Sequence, residues 1–134
     1  MGRTAKVAQI ALRGSGILVL LLGLSLWAGH GYSLLNVHML LGVIVVLALW
    51  TLAGLAAKAG ASPVRVSVAV VWGLILPVLG MTQTQLLPGS AHWVVRLIHL
   101  LVGVGAMAQG ERLARVITAR AMGAGGPAAP RAPA

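Results

Sequence analysis

Apolar residues run along this chain in long blocks, and the polar residues gather in short clusters between them. No Lys, Arg, Asp or Glu occurs between Arg13 and Lys58, and none between Arg65 and Arg96. A helix rising ~1.5 Å per residue needs ~20 apolar residues to cross ~30 Å of hydrocarbon, so each charge-free stretch holds two spans, or one span and a loop. Three turn-forming clusters divide the blocks. "AGHGYS" sets two glycines around His30, "KAGASPVR" places glycine and proline between Lys58 and Arg65, and "LLPGSAH" is a proline-glycine turn followed by Ser90 as the N-cap of the next helix. The pattern predicts helices over residues 9–29, 33–57, 65–87 and 91–117, the last extending beyond the bilayer. The expected fold is all-α: an integral membrane four-helix up-down bundle, read as two tandem helical hairpins if the halves repeat. Pro77 should kink or loosen the third helix. From Gly123 to Ala134 the sequence loses apolar periodicity and reads as a disordered cytoplasmic tail.

Composition moves this from pattern to class. With 59% hydrophobic and 8% charged residues and a mean hydropathy of +0.98, the chain lies outside the range of ordinary soluble domains. Cysteine is absent, which excludes disulfides, thiolate metal sites and cysteine nucleophiles. The formal charge of +9 does not point to nucleic acid, because the basic residues form short clusters between apolar spans and are better explained by topology and anionic lipid. Arg3, Lys6, Arg13, Lys58, Arg65, Arg112, Arg115 and Arg120 all fall at one end of an up-down bundle. The positive-inside rule makes that end cytoplasmic, with both termini inside. Basic residues ahead of an apolar run also describe a signal peptide, but the run over residues 14–28 is long for one and no clear small-x-small cleavage site follows, so a retained first helix is expected. Trp27 and Trp93 read as interface anchors, and Trp50 and Trp72 as packing.

Chemistry is narrowly bounded. Glu111 is the one acidic residue, so no carboxylate pair can form within a chain, and a proton or cation antiporter reading loses its usual intramembrane acid. The simplest role for Glu111 is as a surface partner for its neighbours Arg112 and Arg115. No phosphate-binding loop, dinucleotide glycine motif, zinc-helix motif or nucleophile elbow occurs. What remains is histidine. "VHMLLGV" at residues 37–43 and "IHLLVGV" at residues 98–104 each place a histidine four residues before a glycine, in the second and fourth helices. An offset of 61, the difference between the two numbers, aligns His38 with His99, Gly42 with Gly103 and Tyr32 with Trp93. In a chain with 18 glycines that match alone carries little weight. At 100° per residue His92, Arg96, His99 and Gly103 share a stripe about 60° to 80° wide, which must face the bundle interior, water or a ligand rather than lipid. His38 and His99 then lie at similar depth, ~9 to 12 Å from the helix ends.

Two neutral imidazoles at equal depth on two helices suit bis-histidine ligation of a haem iron. The glycines would admit the porphyrin plane, and Arg96 would pair with a propionate; taken alone, Arg96 reads as a side chain snorkelling outward to lipid headgroups. The rival readings are hydrogen-bonding helix contacts or proton-related roles. His30 and His92 lie at the rim as turn histidines, with a second haem or a surface metal as the alternative. Thr82, Gln83, Thr84 and Gln85 either solvate the interface or line a quinone or substrate entrance. With these histidines and glycines the chain resembles small bacterial membrane b-type cytochromes of the cytochrome b561-like class. The resemblance implies a helical bundle that carries electrons between a quinol or redox partner protein and an acceptor, with haem b held by His38 and His99. It also implies the cytoplasmic (inner) membrane of a bacterium as the location. It covers the layout of the second and fourth helices, and the half at the basic end contains no histidine for a second haem. Two other function classes stay open: a non-catalytic accessory subunit of a larger membrane complex, and a small transporter or channel formed by an oligomer.

Overall fold

A computed structural model of the chain describes residues 2–124, so most of the expected tail, residues 125–134, lies outside the described residues. The four helices are α1 (Arg3–Trp27), α2 (Leu35–Lys58), α3 (Pro63–Thr82) and α4 (His92–Ala124). Single 3-10 turns precede α2 at Tyr32–Leu34 and follow α3 at Gln83–Gln85. All four are long and apolar enough to cross a membrane. The expected all-α four-helix bundle is the observed one.

The bundle is a rhombus: α2 and α4 pack together across the short diagonal, and α1 and α3 each flank both. Inter-helix contacts give the directions. Leu12 and Gly16 of α1 meet Gly110 and Met107 of α4, and Trp72 of α3 meets Gly105 of α4, so α1 and α3 run against α4. His38 and Leu52 of α2 approach His99 and Gly110 of α4, in the same order along both helices. One end therefore carries the start of α1, the turn at residues 59–62 and the close of α4; we call it the basic end and its opposite the distal end.

Packing explains where the predicted boundaries move. α1 begins six residues before the expected position because Ala5 and Ala8 are buried against the bundle, extending the helix beyond the apolar run. α3 starts with Pro63 at a first-turn position, where the missing N–H costs nothing. It continues without interruption through Pro77. α4 starts at His92, so Ala91 rather than Ser90 precedes it at the N-cap position. Positive φ angles at Gly29, Gly31, Gly60 and Gly89 let the three turns reverse tightly.

The interior is built from small residues. Ala5, Ala8, Ala48, Ala53, Ala56, Ala69, Ala106 and Ala114 are buried, with Leu12, Leu49 and Leu52 as the fully enclosed large side chains. Large apolar residues instead face outward, among them Ile10, Leu21, Leu40, Leu47, Val71 and Val78. This is the arrangement expected in lipid, where side chains gain nothing by leaving hydrocarbon and helices associate by close backbone approach. Where glycine meets a large side chain the approach is closest: Gly110 sits under Leu12, and a Cβ on Gly16 would lie 2.7 Å from the Met107 sulfur.

Two tryptophans tie α3 to its neighbours. Trp50 packs on Gly73 and its indole N–H donates to the Val70 carbonyl at 3.2 Å. Trp72 packs on Gly105 and donates to the Val102 carbonyl at 2.8 Å. Each indole thus rests on a glycine and bonds the carbonyl three residues earlier.

Glu111 pairs across the bundle rather than with its expected neighbours. Arg13 of α1 grips it through Nε–H to Oε1 at 2.6 Å and Nη2–H to Oε2 at 2.7 Å, and Gln9 donates to Oε2 at 2.9 Å. Sequence proximity favoured Arg112 and Arg115, but the fork of Arg13 approaches from the facing helix. The Arg13 side chain is 57% exposed, so the pair orients α1 on α4 more than it stabilises the fold. Glu111→Gln is expected to lower the melting temperature in detergent by only a few degrees, as measured by circular dichroism.

Candidate functional site: a histidine pair in the loosely packed half

Burial is uneven along the bundle. Buried residues of α1 end at Gly16, those of α2 begin at Val45, and α3 contributes only Ala69 and Gly73. On α4 they lie at Ala106 and beyond, apart from Val95. The half toward the basic end is close-packed, and the distal half has almost no core.

His38 and His99 occupy that open half. Their ring centroids are 6.4 Å apart and the ring planes are inclined by 49°. Both Nδ1 atoms are buried without a hydrogen-bond partner, although buried polar atoms normally find one. Each ring is seated on a glycine of the other helix in its own hairpin. A Cβ on Gly23 of α1 would lie 3.1 Å from Cε1 of His38, and one on Gly80 of α3 would lie 3.2 Å from Cε1 of His99. The Val19 carbonyl of α1 is a backbone acceptor for the His38 ring. A neutral His38 with its proton on Nε2 presents a lone pair at Nδ1, the form of imidazole that binds metals.

The structure thus brings together the two histidines that the offset of 61 aligned. It adds the seats, Gly23 and Gly80, which sequence reasoning missed. They were accessible in principle, since folding each hairpin about its turn sets the glycine opposite the histidine at the same depth. Both hairpins set a glycine against the histidine, but Gly23 and Gly80 are 57 residues apart rather than 61, so the two seats do not extend the alignment of the histidines. Gly42 and Gly103 have open space where a Cβ would stand.

The other candidates lie apart from this pair. Arg96, His92, Trp93, Thr84, Pro88, Gly89 and Ser90 line an open depression of about 500 Å³ at the distal end. The Nδ1 of His92 is 3.2 Å from the Leu86 carbonyl, to which it can donate. His30 lies in the exposed first turn. Of the polar run ending α3, Thr82 donates back to the Val78 carbonyl at 2.8 Å, and Thr84 joins the depression. Among the described residues no three His, Cys, Asp or Glu side chains converge on a metal position. No protein-family model, curated protein or solved structure matches this chain.

Proposed function

We propose that this multi-pass membrane protein binds one b-type haem through His38 and His99 and serves electron transfer or redox sensing. The observation that carries the reading is the spacing of the two imidazoles, each with a buried, unpartnered Nδ1. With metal–nitrogen bonds of ~2.0–2.1 Å, two imidazoles on opposite sides of one metal have centroids about 6 to 6.5 Å apart, against 6.4 Å here. Bound haem supplies reversible one-electron chemistry.

The chain's own residues hold and shield that site. His38 and His99 would hold the haem, with Gly23 and Gly80 seating their rings and Gly42 and Gly103 leaving backbone clearance one turn away. Arg96, one turn from His99 toward the distal end, is the cation in reach of a haem carboxylate directed that way. A quinone or a redox protein is the partner class that this reading entails. The distribution of basic residues supports an orientation with both termini on the cytoplasmic side, and the resemblance to bacterial b-type cytochromes implies the bacterial cytoplasmic membrane.

The sparse distal core favours a second reading, in which another membrane subunit covers that half and the chain is a non-catalytic accessory component. One experiment separates them. Protein purified from cells supplied with haem is expected to be coloured, to show b-type bands that sharpen on reduction, and to carry one haem per chain. His38→Ala/His99→Ala should remove those bands. Colourless wild-type protein that co-purifies with a stoichiometric partner, or bands unchanged by the double substitution, would overturn the haem reading.

A further inference from the structure

Charge accounting along the bundle isolates one cation. Glu111 is the only acidic residue of the chain, and Arg13 holds it near the basic end. Among the described residues this is the only ion pair. Arg96 lies 15 residues before Glu111 on the same helix, ~22 Å toward the distal end at ~1.5 Å per residue, and is half-buried in an apolar stretch where no acidic side chain of the same chain is left to compensate it. Its surroundings are polar on one side only. His92, Ser90 and Thr84 share the depression with it, while Pro88 and Trp93 form an apolar flank.

A guanidinium at the edge of hydrocarbon is costly unless neutralised, and its forked N–H groups match a carboxylate or phosphate with two parallel bonds. Hydroxyls of Ser90 and Thr84 offer further donors to the same group. The depression, about 500 Å³, exceeds what a bare ion needs and suits an oxyanion carried on a larger molecule.

We propose that the Arg96 depression is an oxyanion-binding site, built to take a phosphate at the membrane boundary. A lipid headgroup and free phosphate present the same chemistry to it. The apolar flank of Pro88 and Trp93 accommodates the glycerol and upper acyl segments of the lipid form. Arg96 needs an oxyanion partner whether or not haem is bound; a haem carboxylate on Arg96 would take the place of the phosphate, so lipid retention is read against the haem content of the same preparation.

The test uses the full chain in nanodiscs of phosphatidylcholine alone or mixed with phosphatidylglycerol, with native mass spectrometry to count retained lipids. Both lipids carry a phosphodiester, but the choline cation neutralises it in phosphatidylcholine, so wild type should retain phosphatidylglycerol selectively. Arg96→Gln should weaken that retention about tenfold, the loss of one charged hydrogen-bonding pair, and Arg96→Lys should restore part of it. Competition by millimolar inorganic phosphate supports a site open to the free anion, and absence of competition supports the lipid source. If Arg96→Gln does not fold, wild type alone decides, through its melting temperature in the two lipid mixtures and in phosphate against chloride. Wild type that distinguishes neither pair, or equal retention by wild type and a folded Arg96→Gln, overturns the proposal.

Discussion

Leucine in place of Gly42 or Gly103 is expected to leave the bundle folded and to abolish the b-type absorbance. Nothing lies within 4 Å of the position a Cβ would take at either glycine, so the first atom of a larger side chain meets no neighbour and helix formation gains slightly from losing glycine. The space it fills adjoins the histidine one turn away, and a porphyrin that needs this clearance cannot coexist with an isobutyl group. The combination of unchanged helical signal and lost colour separates ligand exclusion from misfolding. Equal haem content in Gly42→Leu, Gly103→Leu and wild type would show that these glycines are no part of the pocket.

Gly110→Val should have the opposite outcome, loss of the bundle itself. A Cβ there would overlap Leu12 and press on Leu52, both fully buried and both in the close-packed half. Relief requires α1 to move away from α4, breaking the small-residue contacts along their interface. Overpacking of a filled core costs of the order of 3 kcal/mol, and occasionally more. The measurable result is a melting temperature lowered by at least 10 °C on the scale of a domain this size, or failure to recover monodisperse protein from detergent. A stable, monodisperse Gly110→Val protein would mean that α1 and α4 pack less tightly than the Leu12 contact indicates.

The contrast between these glycines shows what the sequence could and could not disclose. Span number, turn positions and helix direction follow from hydrophobic block length and turn residues, because a bilayer imposes one length on every element that crosses it. His38 and His99 were legible for the same reason: equal distance from equivalent turns on helices of the same direction means equal depth. Which glycines are crowded is a property of pairs of helices, and no local periodicity encodes it. Gly105 and Gly42 look alike in the chain, each within an apolar run, yet a Cβ on one would meet the Trp72 indole and on the other would face open space. The same limit hid the Arg13–Glu111 pair, whose members are 98 residues apart, and the two indole bonds of α3. The distal half was least legible, since its looseness is a missing core rather than a present motif.

The indole bonds bear on how the chain is made. α3 buries little of itself, and its ties run in opposite senses: Trp50 reaches into it from α2, while Trp72 reaches out of it to α4. The first can close as soon as α3 enters the bilayer. The second cannot, because the Val102 carbonyl has yet to be synthesised. Until the ribosome has delivered α4, Trp72 carries a donor with no assigned acceptor in hydrocarbon, a state that costs free energy. Three-helix nascent chains are therefore the vulnerable stage of biogenesis, when chaperone capture or proteolysis competes with completion of the fourth helix.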